Sequence, residues 1–340
     1  MKKTDVLIVG AGPAGSVCGY LLKQAGVDCL LIDHATFPRD KICGGGLTPK
    51  AWHLLKRLIP ELHYDFNPVT QIRLFIDETC CDFTLSDPLR IVHRKTFDYA
   101  LLKAYQDIGG EFMKGSFSQV EEHDGYLTVT LRSGEQVSCR YLVGADGSNS
   151  QVRRYLKPDT ERGYLVFEQY IDQNGDNTID IHLSQSYGEG YYYRFPSVGF
   201  DIVGYGDRDT TQEKFKQVIR QMHIPEGKVR GAYVYLSNDY PLHDQIILIG
   251  DAGGFANRCT SEGLYDAFMT AEHASMAIRE NRPFREVNAE VFKKMKKETR
   301  VMKLFLSRFG LATLKWLCHH PALVQWMVDT KMQRETFWKK

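Results

Sequence analysis

VLIVGAGPAGSVCGYLLKQAGVDCLLID, residues 6–33, is the stretch on which the fold turns. Val6 to Val9 is a short apolar run of strand type. Gly10, Gly12 and Gly15, with Pro13 and Ala14 between them, fill a G-x-G-x-x-G turn, and Ser16 to Gln24 continues at helical spacing toward a second strand, Cys29 to Ile32. Each glycine has a reason. The first permits the tight turn, the second lets backbone approach a pyrophosphate, and the third lets the helix pack closely on the strand, so that phosphates sit at the positive helix N-terminus. Asp33, with His34 beside it, ends the second strand about 20 residues on, where a carboxylate accepts from ribose hydroxyls and repels a 2′-phosphate. In that order, strand, turn, helix, strand and acid read as a nucleotide-binding βαβ unit and not as a plain Gly-rich turn.

Two later segments bear on which nucleotide. Tyr141 to Gly147 runs from a strand into Asp146-Gly147, and Ile246 to Ile249 runs from a strand into Gly250-Asp251, with Ala252, Gly253 and Gly254 behind it. Asp146-Gly147 alone reads equally well as a β-turn. In company with the first segment, the chain resembles the FAD-dependent hydroxylase and reductase superfamily, over most of its length. That resemblance implies an α/β fold: a Rossmann-like FAD-binding domain of the glutathione-reductase and hydroxylase type, a smaller antiparallel-sheet substrate domain, and a C-terminal helical segment. It also implies that both segments complete a flavin site. A helix beginning near Asp251 to Gly254 would aim N–H groups and a positive dipole end at the flavin, favouring its reduced form. Asp251 would hold the ribityl or pyrophosphate portion, and Gly263-Leu264 would offer backbone N–H groups to the ring.

FPRDKICGGGLTP, residues 37–49, narrows the resemblance. Arg39, Lys41, Cys43, Gly44, Gly45 and Gly46 match the K-x-C-G-G pattern of the geranylgeranyl reductase family, in which the cysteine lies beside the flavin; the competing reading of Cys43 is a small buried hydrophobe. Three glycines leave backbone accessible to an isoalloxazine ring. GYYYRFP, residues 190–196, is similar to the same family's G-Y-x-W-x-F-P, with Tyr193 at the tryptophan position. Alternation puts Tyr191, Tyr193 and Phe195 on one face and Tyr192 and Arg194 on the other, so the stripe is a core face or an apolar substrate wall. Arg94, ahead of an amphipathic helix, stands where the family has a cofactor-contacting arginine; a surface ion pair is its alternative. Val120 is the candidate for a backbone contact to the adenine. Departures from the family pattern fall beside the ring: Arg258-Cys259 for a proline, Ser261 for a glycine, and Thr270-Ala271 near a usual glycine.

The remainder is consistent with an ordinary enzyme. Of 340 residues 43% are hydrophobic and 12% aromatic, and 43 basic residues against 42 acidic give a net charge of +1, which argues against a nucleic-acid partner. The expected division is an FAD-binding domain of 1–65, 94–155 and 240–282, a substrate domain of 66–93 and 156–239, and a helical segment of 283–340. Cysteines at 18, 29, 43, 80, 81, 139, 259 and 318 show no zinc spacing, so free thiols and no metal are expected. The N-terminus enters the first strand at once and no run of about 18 apolar residues occurs, so a cytoplasmic protein is expected. In the C-terminal segment, Phe292, Met295, Met302, Phe305, Leu306, Phe309 and Leu317 recur at helical spacing among Lys293, Lys294, Lys296, Lys297, Arg300, Lys303, Arg308 and Lys315. This is a solvated face or an amphipathic helix resting peripherally on the inner face of the membrane.

No second glycine fingerprint exists for a resident nicotinamide, so electrons would come from a transiently docked NAD(P)H or another reduced carrier. The expected activity is hydride transfer from reduced FAD to carbon–carbon double bonds of a hydrophobic, isoprenoid or polyprenyl substrate. Cys43, Tyr191 and Tyr193 are the candidate catalytic residues. The alternatives are an FAD-dependent monooxygenase hydroxylating an aromatic or polyketide-like molecule, and a non-catalytic flavin sensor.

Overall fold

A computed structural model describes residues 1–340 except 159–162, 174, 188–189, 259, 306 and 338–340, and except the side chains at 185, 303, 305, 308 and 331–337. Cys259, Leu306 and the side chains of Lys303, Phe305 and Arg308 therefore lie outside the described residues. The chain opens with β1 (Lys2–Val9), α1 (Pro13–Gln24), β2 (Cys29–Asp33), β3 (Gly46–Leu47), α2 (Pro49–Leu58), β4 (Asn67–Ile76) and β5 (Thr79–Ile91). Next come α3 (Arg94–Asp107), β6 (Glu111–Lys114), β7 (Phe117–His123), β8 (Tyr126–Leu131), β9 (Gln136–Gly144) and α4 (Gln151–Leu156). They are followed by β10 (Tyr164–Ile171), β11 (Thr178–Leu183), β12 (Tyr191–Pro196), β13 (Asp201–Asp207), α5 (Gln212–Gln221), β14 (Arg230–Val234) and β15 (Ile246–Leu248). The chain ends in α6 (Leu264–Arg279), α7 (Phe284–Val287), α8 (Ala289–Phe305), α9 (Arg308–Cys318) and α10 (Pro321–Phe337).

The first sheet has the order β6-β2-β1-β9-β8-β7, with β15 on β9. β1 lies parallel to β2 in the register Val6↔Cys29 to Val9↔Ile32. Both faces of β1 are covered, which is why its apolar run is unbroken. Val6 and Ile8 pack with α1, α3 and α6, whereas Leu7 and Val9 pack with Phe117, Val120 and Val129 of the β7–β8 meander. Pro13 opens α1, where its missing N–H costs nothing.

The second sheet, β14-β10-β13-β12-β11-β4-β5-β3, is antiparallel apart from the parallel pair β4 and β11. The alternation read in GYYYRFP holds. Tyr192 joins Val203 and Tyr205 against Phe215, Val218 and Ile219 of α5, while the rings of Tyr191, Tyr193 and Phe195 follow one another on the opposite face, 5.8 and 5.0 Å apart. The loop of residues 34–45 leaves β2 of the first sheet and ends in β3, where Gly46 and Leu47 pair with Ile91 and Arg90 of β5 in the second. That crossing sets the glycine run over the aromatic face.

Candidate active site

The glycines of the first turn divide by what surrounds them. Gly10, at φ +108, has space for no side chain, since a Cβ would lie 2.3 Å from the Ala145 carbonyl oxygen, and one on Gly15 would lie 1.8 Å from that of Gly10. These two serve the crossing of β1, α1 and β9. Gly12 differs: a Cβ there meets only the Arg39 guanidinium, at 3.4 Å. The protein's own packing does not require glycine at 12, which leaves approach of a ligand as the reason. Asp33, buried, accepts from Ala11 N–H at 2.7 Å and Ala35 N–H at 2.8 Å, so it braces the turn it was expected to serve from outside. His34 is exposed, with Nδ1 3.3 Å from Asp33. Val120 lies within β7 opposite Val129, its side chain in the core.

The other two segments meet this turn. Ala145 N–H donates to Val9 at 2.7 Å. The Asp146 carboxylate, pushed up by burial, points away into α4, where one oxygen accepts from Gln151 N–H at 2.7 Å and the other has no partner. Gly147 has φ +74, and a Cβ there would meet nothing within 4 Å. Gly250 to Gly253 form a single 3-10 turn closed by Gly254 at φ +72, and the helix expected from Asp251 to Gly254 instead starts at Leu264. The left-handed Gly254 ends the turn, and regular helix resumes only at Leu264. The positive dipole end thus falls at Gly263-Leu264, beside Asp251, whose carboxylate accepts from Ser148 Oγ at 3.3 Å. Thr270 accounts for one departure from the family: its hydroxyl accepts the Gly250 N–H at 3.0 Å. Ser261, another, sits at φ +54, a conformation that favours the family's glycine. Sequence reasoning missed Arg153, a buried guanidinium bonded to the Ser148 and Ala252 carbonyls, which locks the two segments together.

Around the glycine run, burial disfavours the Arg94 charge, but Asp98 and the Cys43 thiol more than offset this and raise its pKa. Arg94 makes a fork to Asp98 at 2.7 and 2.9 Å, and Arg39 approaches the same carboxylate at 3.4 Å. The glycine run is explained by the protein itself. A Cβ on Gly44 would strike Phe195 at 2.8 Å, on Gly45 the Val92 carbonyl at 2.1 Å, and on Gly46 Phe195 at 3.3 Å. The sequence reading assigned these glycines to a ring; their side-chain directions face β12 and β5. Cys43, half-buried, accepts from Gly45 N–H through Sγ at 3.4 Å.

Of the candidate catalytic residues, Cys43 and Tyr193 are joined through a residue the sequence reading did not name. Glu168 of β10, with none of its surface exposed, accepts from Cys43 N–H at 2.8 Å and from the Tyr193 hydroxyl. Tyr191, its phenol pushed up to about 12 by burial, donates to the Thr260 carbonyl at 2.8 Å. An acid in the middle of YLVFEQYI was the available signal, because a charged residue inside a strand of apolar and aromatic residues has to find buried partners. On the other face of this sheet a cleft of about 870 Å³ is floored by Arg73, Asp180 and Arg194. Those charges pair with one another at 2.6 and 2.8 Å, so it is a charge network and not a reactive site.

Two helix N-termini, α1 at Gly12 and α6 at Gly263, have no side-chain cap, and a Cβ on Gly12 would meet only Arg39 and one on Gly147 nothing within 4 Å. Orphan N–H groups at both ends, glycine where a ligand must approach, and Arg39 over the turn fit an anionic dinucleotide. The fold and site define a flavin-dependent oxidoreductase. Residues 3–172 match the FAD binding domain family. The chain is 35% identical over 302 residues to menaquinone reductase of Mycolicibacterium smegmatis, across 77% of this chain and 73% of that protein. It is 28% identical over 301 residues to geranylgeranyl diphosphate reductase of Rhodobacter capsulatus, across 81% and 75%. Among solved structures, a geranylgeranyl bacteriochlorophyll reductase-like protein of Thermoplasma acidophilum superposes with a TM-score of 0.73 at 19% identity, covering 97% of this chain and 91% of that one. The chain belongs to the geranylgeranyl reductase family of FAD-dependent oxidoreductases.

Proposed function

We propose that this protein reduces carbon–carbon double bonds of an isoprenoid or polyprenyl lipid by hydride transfer from FAD reduced by NAD(P)H or another carrier. The observation that carries the reading is the convergence of the glycine run, Cys43 and the aromatic face of β12. The rings of Tyr191, Tyr193 and Phe195 follow one another along one face of β12, and burying a polyprenyl chain against such a face at about 0.8 kcal/mol per CH₂ would supply ample binding energy. The two sequence relatives are named for reduction of menaquinone and of geranylgeranyl diphosphate, and a polyprenyl chain is common to both compounds. In this reading Gly10, Gly12, Pro13, Ala14, Gly15 and Arg39 hold the pyrophosphate, Asp33 and His34 the ribose, and Val120 the adenine end. Lys41, Cys43, Gly44, Gly45, Gly46, Arg94, Gly263 and Leu264 surround the ring, and Asp146, Gly147, Gly250, Asp251 and Gly254 the linker between.

The membrane contact is proposed for the exposed apolar residues of the C-terminal helices, which include only part of the helical stripe. Val291, Met295 and Met302 of α8 are buried, and the Phe292 ring meets Tyr240 and Phe284 edge-on and Phe255 at a tilt, so these members of the stripe face the protein, whereas Phe309, also of the stripe, is exposed. Leu304, Phe309, Trp316 and Trp326, at 63, 76, 55 and 62% exposure, are the apolar residues left for lipid. Among the described residues no helix is long and apolar enough to cross a membrane.

Anaerobic reduction of the holoprotein, followed by a polyprenyl quinone, a polyprenyl diphosphate or air, tests the reaction. Flavin reoxidation with a product whose polyprenyl chain, not its quinone ring, is heavier by two hydrogens supports it. Gain of one oxygen atom identifies the monooxygenase instead, and no turnover leaves a flavin-binding sensor.

A further inference from the structure

Glu168 occupies a position that only the register of three strands creates. Tyr193 of β12 lies opposite Gly204 of β13, and Gly204 lies opposite Glu168 of β10. A Cβ on Gly204 would come 2.3 Å from the Tyr193 hydroxyl oxygen, so the missing side chain is what lets the phenol lie across β13 and reach the carboxyl. The second carboxyl oxygen takes the Cys43 N–H, one residue from Gly44, against which the Tyr193 and Phe195 rings pack. The titratable and charged groups facing it are Cys43 and Lys41 on the loop, Tyr191 and Tyr193 on β12, Tyr170 on β10 itself, and Arg230 on β14. Neither lysine nor arginine bonds it, and no water-facing surface remains to solvate a charge. Burial pushes the carboxyl up to about 7, against the opposing bonds from Tyr193 and Cys43.

We propose that Glu168 takes up a proton when the bound flavin is reduced and returns it, through Tyr193, when substrate accepts the hydride. Reduced flavin carries a negative charge, and a second one on a carboxyl that has no water-facing surface and is bonded to the Cys43 loop would be unfavourable; protonating Glu168 removes it. The return step rests on the reductase reading above. Hydride leaves the reduced flavin and bonds one olefinic carbon, the π pair forms a bond to the phenolic proton of Tyr193 at the other carbon, and the Glu168 carboxylic proton moves to the phenolate. The flavin is oxidised by two electrons, the olefin is reduced by two, and Glu168 is again a carboxylate.

The uptake step is read without substrate, from the midpoint potential of the bound flavin in dye-equilibrated titrations between pH 5.5 and 9. One additional proton per two electrons makes the reduction equilibrium a further tenfold more pH-dependent per unit, about 30 mV. The wild type should show this steeper segment beginning near pH 7, and Glu168→Gln should show a single shallower slope throughout. Tyr193→Phe removes a bond that favours the carboxylate, so its steep segment should begin at higher pH. That variant carries the test should Glu168→Gln not retain flavin. A wild type with no steeper segment, or variants that leave it in place, would overturn the inference. In stopped flow, Tyr193→Phe should slow reoxidation by a polyprenyl diphosphate, whose only reducible groups are its double bonds, by about 10²-fold or more, and an unchanged rate overturns the return step. A steep segment in a protein that reduces no lipid olefin refutes the reductase reading alone, and lipid reduction without the segment refutes the proton uptake alone.

Discussion

At the residue scale the glycine turn separates two demands that a sequence motif merges. Gly10 and Gly15 are fixed by backbone contacts of the protein with itself, whereas Gly12 faces open space and Arg39. Gly12→Val should therefore fold with a melting temperature close to that of wild-type apoprotein yet purify without FAD, while Gly15→Ala should not give stable protein, because overpacking against backbone costs about 1–3 kcal/mol or more. Flavin absorbance and thermal melts check both, and a yellow Gly12→Val protein would move the phosphates elsewhere. Glu168 gives the second expectation. Its folded-state pKa is raised from 4.5 to about 7 by burial, so the native state holds a proton that the unfolded chain gives up. The resulting stability is fully present below about pH 4.5 and is lost as pH rises through 7. Denaturant titrations should find wild type losing roughly 3 kcal/mol between pH 5 and 8 relative to Glu168→Gln. Parallel curves at the two pH values would mean the carboxyl is not neutral in the native state.

At the scale of elements, what was legible in the sequence was what is local. The βαβ unit, the alternation of GYYYRFP and the terminal acid Asp33 each depend on spacing within about 30 residues. The pairing of Tyr193 with Glu168 across Gly204 and the Arg153 lock onto Ala252 depend on strand register and packing, which no local pattern encodes, whereas the Arg94–Asp98 fork is an i,i+4 pair that helical spacing offered. The start of α6 was misplaced for a related reason. Small residues after Gly250 resemble a helix start, but a left-handed Gly254 closes the turn, and Phe255 then makes an isolated antiparallel bridge to Leu236. Amphipathic spacing in α8 was real, yet spacing alone does not say whether an apolar stripe meets protein or lipid. Met295→Ala, 3% exposed, should accordingly cost about 2–5 kcal/mol in denaturant unfolding, and Phe309→Ser less than about 0.5 kcal/mol. Equal costs would contradict the assignment of α8 to the core. α10 has a structural duty as well: the Gln325 amide pairs with both Thr84 backbone groups at 2.9 and 2.8 Å, covering the edge of β5.

At the scale of the whole molecule, the site lies on the seam between the sheets. Gly12 and Arg94 come from segments around the first sheet and Glu168 and Tyr193 from the second, and the loop of residues 34–45 joins them. On the proposed function a lipid substrate would have to reach that seam from a bilayer. The exposed Leu304, Lys296, Lys297 and Arg300 of α8 and the exposed Phe309 and Trp316 of α9 give these two helices the aromatic and basic composition that suits an anionic interface. Deleting everything after Asn288 would strip Val291 and Met295 from the core, so point changes are the sound test. Transfer of a large apolar side chain into the interface contributes about 1.5–3 kcal/mol. The double variant Phe309→Ser, Trp316→Ser should thus lower partitioning onto phosphatidylglycerol vesicles by at least about tenfold, with flavin content unchanged. Because the basic residues act through screened charges, raising salt from 0.1 to 1 M should weaken wild-type binding as well. Vesicle sedimentation that is indifferent to both the substitutions and the salt would return these exposed residues to solvent and require the polyprenyl chain to arrive by another route.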